Sequence, residues 1–236
     1  MAKILMFGNQ KGGVGKSQCS LVLASALSQK PFNLRIALVD IDDQKSIVSC
    51  RAIDKRAYGA EVVAPYPVID YGIADLQKHI STLDQDYQIL LIDAAGKLDA
   101  KADVNQQEIS KSLMYVDYLF LPFVAGNHNL DASFKYLRFV QQIQAARTLS
   151  NRQLTATGFV NMFRSRSRKN QFLLEDIANI ANTENLVFMK TYLNDYALFS
   201  DADTMTSLYE PLSNDPARQN FVAWVNEICR IIGIAK

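Results

Sequence analysis

The 236-residue sequence predicts an α/β fold, a doubly wound and mostly parallel sheet flanked by helices, with residues 1–236 forming a single domain. Three observations predict it. Short, nearly continuous apolar runs alternate with stretches of helical periodicity, the pattern of strands buried on both faces of a parallel sheet. A glycine- and lysine-rich loop, GNQKGGVGKSQCS (8–20), directly follows the first of these runs. Two later runs end in aspartates, Asp40 and Asp93, at the strand ends where open α/β sheets place their ligands.

Strands are expected at 3–8 (KILMFG), 35–40 (RIALVD), 87–93 (YQILLID), 116–124 (VDYLFLPFV), 154–162 (LTATGFVNM) and 185–193 (NLVFMKTYL). AEVVAP (60–65) is a further short candidate. Helical spacing predicts helices over 16–29, 70–81, 103–114, 129–149, 170–182 and 216–232. In the last of these, Phe221, Trp224, Val225, Ile228, Cys229 and Ile232 make one apolar face. Its polar positions carry too few lysines and arginines for a membrane anchor, so core packing is expected. Tyr66, Tyr71, Tyr115, Tyr118 and Phe120 also fall at core-like positions. No repeat, low-complexity tract or long linker divides the chain.

Lysine plus arginine (25) nearly balances aspartate plus glutamate (24), so any nucleic-acid footprint has to be local. Cys19, Cys50 and Cys229 are odd in number and at no ligand-like spacing, which argues against a disulfide framework and a Cys-x-x-Cys metal site. With no leader-like start and no apolar stretch near the ~20 residues of a membrane span, a cytoplasmic protein without a transmembrane segment is expected.

The loop departs from G-x-x-x-x-G-K-[ST]: six residues before Lys16 stands Gln10, not glycine, and a second lysine, Lys11, precedes Gly12, Gly13 and Gly15. It still has the strand–loop–helix setting of a phosphate loop. Glycines let backbone N–H groups converge on phosphate oxygens, and the helix N-terminus adds partial positive charge. Lys16 is placed to reach terminal phosphates and the Ser17 hydroxyl to ligate Mg²⁺. ILLIDAAG (89–96) reads as a Walker B strand whose Asp93 supports the metal, with Gly96 near the γ-phosphate. In ALVDIDDQKS (37–46), Asp40 and Asp43 also fit the simpler roles of helix cap or turn former.

KGGVGKS and VDIDDQ, followed in order by the Walker B strand and GFVNMF, resemble the deviant Walker A ATPases of the ParA/MinD family. The resemblance implies a phosphate-loop NTPase fold that binds ATP and Mg²⁺ and hydrolyses ATP slowly. It implies phosphate contacts from Gly12, Gly13, Val14, Gly15, Lys16, Ser17 and Gln18, and adenine contact by Asn161. Ser17, Asp40 and Asp93 would serve the metal, and Asp42 would orient the attacking water. Lys11 would cross the interface of an ATP-sandwich homodimer, offsetting phosphoryl charge as an arginine finger does in trans. The segment after Thr191 would pass under the base. Departures from the pattern are Asp43 for the proline after D-x-D, Gln18 for the second hydroxyl, Ala94-Ala95-Gly96 for Thr-Pro-Pro, and Leu193-Asn194 for a late Pro-Arg.

The family further implies DNA partition, with a ParB-like activator and nonspecific DNA binding that would place the protein on the nucleoid. FRSRSRKNQ (163–171) offers Arg164, Arg166, Arg168 and Lys169 for that purpose, extended by Arg147, Arg152 and Arg218 if they share the face. A solvated loop is the simpler reading of such a charge run. No DNA-binding segment precedes the loop, which speaks against sequence-specific operator binding. The alternatives are a MinD-like or cargo-positioning ATPase acting on protein or membrane, and a metabolic enzyme such as a dethiobiotin-synthetase-like amidoligase. His79 and His128 read as surface or capping residues.

Overall fold

The computed structural model of the protein describes residues 1–59, 61–94, 109–149 and 152–234. Among these, seven strands form one sheet: β1 (Lys3–Phe7), β2 (Ile36–Asp40), β3 (Val68–Asp70), β4 (Ile89–Asp93), β5 (Tyr118–Phe123), β6 (Thr155–Val160) and β7 (Val187–Phe188). Their order is β3-β2-β4-β1-β5-β6-β7, and every pairing is parallel. The named helices are α1 (Lys16–Ser28), α2 (Ser46–Tyr58), α3 (Ile73–Asp86), α4 (Asn127–Leu149), α5 (Arg168–Thr183), α6 (Ala197–Ser200) and α7 (Pro216–Ile231).

Alternation along the strands divides the core into two layers. In β1, Leu5 and Phe7 face a layer containing α1, Trp224 and Ile228. Ile4 and Met6 face the other, with Leu76 and Ile80 of α3, Leu137 and Val140 of α4, and Leu173 of α5. All six apolar residues expected on the last helical face are buried, and Trp224 stacks on Phe7 and Phe221. That helix packs into the core. Among the described residues no helix is long and apolar enough to cross a membrane.

Four elements differ from the sequence reading, the strand expected at 185–193 among them, since only Val187–Phe188 (β7) is a strand there. Residues 61–65 are not a strand; the edge strand is β3, at 68–70, so α3 begins at Ile73 and runs on to Asp86. Helix α2 was not expected at all. Its only buried residues are Ile47 and Arg51, so the inward face is half polar and carries little apolar periodicity. The short α6 was also unexpected. Of the helix expected at 103–114, residues 109–113 are helical and 103–108 lie outside the described residues, as does Gly96.

This topology fixes where a ligand can sit. From β1 the chain winds toward β2 and β3 on one side, while β5 to β7 extend the sheet on the other. The loop after β1 therefore opens into the crevice at the carboxyl ends of the strands, where the winding reverses.

Candidate nucleotide site

The loop from Gly8 to Gly15 joins β1 to α1 and is held from below by Asn9. Its buried side chain donates to the Pro122 carbonyl and the Ser133 hydroxyl, both at 2.8 Å, and accepts from the Lys11 backbone N–H at 3.0 Å. Gly15 caps α1 with φ 87°, and a Cβ there would stand 2.5 Å from the Asn161 amide nitrogen. Only glycine fits that position. No side chain caps α1 and no acidic residue sits in its first turn, so its backbone N–H groups and dipole face the loop uncompensated.

The two lysines of the loop have separate environments. Lys16 is buried, and its ammonium donates to the Lys11 carbonyl at 3.1 Å. Burial lowers its pKa, while Asp93 and Asp42 oppose that shift. Lys11 is exposed.

Asp93, at the end of β4, is fully buried; neither carboxylate oxygen makes a hydrogen bond of good geometry, and the Ser17 hydroxyl is near enough only to favour the charged form. Burial raises its pKa to about 7; Asp40 and Asp42 push the same way, and the Ser17 hydroxyl and Lys16 oppose them. A buried carboxylate so poorly satisfied costs on the order of 1–3 kcal/mol or more for each unmet oxygen, unless a proton or a cation completes it. A hydroxyl and one or two carboxylates beside a phosphate loop match what Mg²⁺ takes, since that ion keeps several waters and binds phosphate oxygens. Among the described residues no group of three potential ligands forms a closed cage, which that ion does not need.

Asp40 stands in register with Asp93 on one side and with Asp70 on the other. Its carboxylate is engaged with the backbone: one oxygen accepts from Ile47 and Val48 N–H at 3.1 and 3.2 Å, the other from Asp42 N–H at 3.2 Å. Asp40 thus serves the first turn of α2, the cap that the sequence left open as its simpler role. Burial raises its pKa, and these bonds together with Lys45 oppose the rise. Asp42 lies in the following turn, where its carboxylate accepts from Gln44 N–H at 3.0 Å. Asp43 is exposed.

Beside the loop lies a cavity of about 250 Å³, enough for a heterocyclic base. Gly15, Cys19 and Asn161 line it on the loop side, and Leu193, Tyr196 and Phe199 on the other. The Asn161 amide donates to the Val14 carbonyl at 2.8 Å, so this residue braces the loop from the cavity side. Gln18 donates to the Phe199 carbonyl across the cavity, so its amide reaches α6. The segment after Thr191 does line the cavity, and α7 clamps it there. Glu227 accepts from Lys190 and Thr191 N–H at 2.7 and 2.8 Å, and Asn220 bonds Tyr192 and Asn194 at 2.8 and 2.9 Å. Neither Glu227 nor Asn220 was marked by sequence; a glutamate and an asparagine on an otherwise apolar helix face are the available signal.

The basic cluster divides. Arg164 pairs with Asp195, which lines the cavity. Arg166, Arg168 and Lys169 are exposed, the last two in the first turn of α5, and Arg168 covers the exposed Phe172 ring at 5.6 Å. Arg147 does not extend the patch: it is buried and donates to the Leu113 and Val116 carbonyls. Arg218 pairs with Glu210 at 2.7 Å. His79 stacks on Tyr71.

A parallel sheet with a phosphate loop at its switch point, a buried lysine and a buried strand-end aspartate define the phosphate-loop nucleotide-binding class. Within that class, residues 5–202 match the model of the CobQ/CobB/MinD/ParA nucleotide-binding domain, and the chain belongs to that family. No curated protein matches the sequence. Solved structures share the fold at low identity. A protein of Borrelia burgdorferi B31 described as a plasmid partition protein, bound to AMPPNP, is 18% identical with a TM-score of 0.68, covering 98% of this chain and 99% of its own. Cobyrinic acid a,c-diamide synthase from Mycobacterium smegmatis, with an ATP analogue and magnesium, is 14% identical at TM-score 0.68, covering 98% and 95%. A variant of Cyanothece McdA in complex with ATP is 14% identical at TM-score 0.69, covering 100% and 98%.

Proposed function

We propose that this protein is an ATP-driven switch: it binds ATP with Mg²⁺, closes into a homodimer, and slowly hydrolyses ATP to ADP and phosphate. The carrying observation is the division of labour within one loop, with Lys16 buried in the field of Asp93 and Lys11 exposed. One lysine serves its own phosphates, and the other is free to serve a partner subunit's.

Backbone N–H groups from Gly12 to Ser17, with Lys16, hold the phosphates. ATP displaces the Lys16 ammonium from the Lys11 carbonyl, exchanging a neutral acceptor for a charged one. Ser17 and Asp93 would hold Mg²⁺, which supplies charge neutralisation on the phosphate oxygens. Asp40 holds the turn that carries Asp42, and Asp42 orients water toward the γ-phosphate. Lys11 of the opposite subunit offsets charge developing on the transferring group.

The positioning of DNA, with nonspecific phosphate contacts from Arg166, Arg168 and Lys169 and an activating partner of the ParB kind, is the fuller form of this proposal. It is supported by the uncompensated cations in the first turn of α5 and by structural likeness to a protein described as a partition protein. A second reading, cargo positioning on a protein surface, is favoured by exposed Ile53, Tyr58, Val62 and Val63 on and after α2. Electrophoretic or anisotropy measurements with duplex DNA at low salt, in ATP and in ADP, test the choice. ATP-dependent binding that falls steeply with salt supports the DNA reading; no binding in either state supports the protein surface.

A further inference from the structure

Between β2 and α2 the chain makes a tight turn from Asp42 to Lys45, closed by the Lys45 N–H donating to the Asp42 carbonyl at 2.9 Å. Lys45 ends that turn at φ 47° and ψ 43°, a left-handed conformation that a side-chain-bearing residue seldom adopts. The conformation sends its ammonium back across the loop. There it donates to the Asp40 carbonyl at 3.0 Å and the Tyr71 carbonyl at 2.8 Å, and pairs with the Asp70 carboxylate at 2.7 Å. These partners sit at the ends of β2 and β3, in a row of aspartates that runs in register from Asp70 through Asp40 to Asp93.

We propose that Lys45 is a positioning residue for ATP hydrolysis, a latch that clips the Asp42–Lys45 turn to the edge of the sheet. This rests on the reading of Asp42 as the residue that orients the attacking water. The turn is anchored at its start by Asp40, whose carbonyl also accepts from Tyr71 N–H at 3.3 Å. Among the described residues, no hydrogen bond or ion pair other than those of Lys45 ties the 42–45 turn to β3. The side chain spans the loop, so both of its ends move as one body and the Asp42 carboxylate keeps its place relative to the phosphate loop. The same ammonium also favours the ionised form of Asp40, whose oxygens organise the first turn of α2. Strain in the left-handed backbone is tolerated because three oxygen partners fix the side chain.

Lys45→Gly tests this without adding strain, since glycine accepts the left-handed conformation and only the latch is lost. The readouts are single-turnover ATP hydrolysis, AMPPNP affinity and thermal stability, with Asp42→Ala and the double variant measured alongside. The latch predicts hydrolysis slower by about ten- to a hundredfold, with AMPPNP affinity within about threefold, because positioning errors fall on the chemical step. It also predicts partial rescue by Lys45→Arg and no further loss when Lys45→Gly is added to Asp42→Ala. A parent rate in Lys45→Gly, beside a slow Asp42→Ala, would overturn the latch and leave the Asp42 reading standing. A proportional fall in AMPPNP affinity, or an additive loss in the double variant, would likewise overturn it as a general structural effect. A parent rate in Asp42→Ala would overturn the Asp42 reading itself and the latch with it.

Discussion

The Lys16 ammonium donates to the carbonyl of Lys11 at 3.1 Å, so the loop's inner lysine rests on the backbone of its outer one. That bond closes the loop on itself. Under the proposed function, triphosphate would have to draw Lys16 away from this neutral acceptor.

Lys16→Ala is expected to weaken ATP binding by about 10- to 100-fold or more, the worth of a charge-assisted contact to phosphate. Titration calorimetry measures it directly. Affinity unchanged within twofold would place the phosphates elsewhere.

Asp93 gives the site a pH signature. Its pKa is raised by burial to about 7, above its unfolded value, so the folded protein binds an extra proton between about pH 4 and pH 7. The sign follows: nucleotide-free stability falls as pH rises through that window. Asp93→Asn should flatten this dependence and stabilise the nucleotide-free protein near pH 8 by roughly 2–4 kcal/mol. The same variant should lose Mg²⁺-dependent nucleotide affinity. Urea unfolding across pH 5–8 checks the first part, and titration with and without Mg²⁺ the second.

Gly15→Ala would force a Cβ against the Asn161 amide while imposing a left-handed backbone on alanine. A cost of about 1–3 kcal/mol is expected from backbone strain, with the Asn161–Val14 bond lost. Thermal unfolding and nucleotide titration should report both. Equal stability would mean that the loop relaxes without cost.

Arg51 is buried in α2 and donates to the Thr204 hydroxyl, the Thr204 carbonyl and the Tyr66 carbonyl at 2.7, 3.1 and 2.6 Å. Asp54 accepts from Thr204 in turn, at 2.8 and 2.7 Å. Arg51→Met should destabilise the fold by about 2–4 kcal/mol, because three acceptors lose a charged donor. It should also loosen the segment after α6 and weaken nucleotide binding through the cavity wall. Hydrogen exchange at 196–206 tests that link.

Replacing Arg166, Arg168 and Lys169 together should weaken duplex-DNA binding and flatten its salt dependence by up to about three phosphate contacts. Arg164→Ala is expected to act differently. Its partner Asp195 lines the cavity beside the phosphate loop, so nucleotide affinity should change as well if the base sits there.

The phosphate loop was legible because its chemistry is local: glycines at fixed spacing, two lysines, and a strand before them. Buried strands were legible for the same reason, as β4 is apolar from Ile89 to Ile92. Helix α2 was hidden because tertiary hydrogen bonds, rather than an apolar stripe, hold Arg51 inside. What the sequence could not rank were the parts whose meaning comes from long-range pairing. Asn9 reaches Pro122 and Ser133, Glu227 reaches Lys190 and Thr191, and Lys45 reaches Tyr71. Arg147 and Arg164 show the converse, as charges that read as one surface patch until burial and pairing separated them.

The most direct test of the switch is the light-scattering mass of Asp42→Ala in ATP and Mg²⁺ compared with ADP and Mg²⁺. An ATP-closed homodimer predicts twice the 26.5 kDa chain mass in ATP and a single chain in ADP, with the ATP dimer lost when Lys11→Ala is added. A single chain in both nucleotides would contradict it, and would leave Lys11 as an exposed lysine with no subunit to serve.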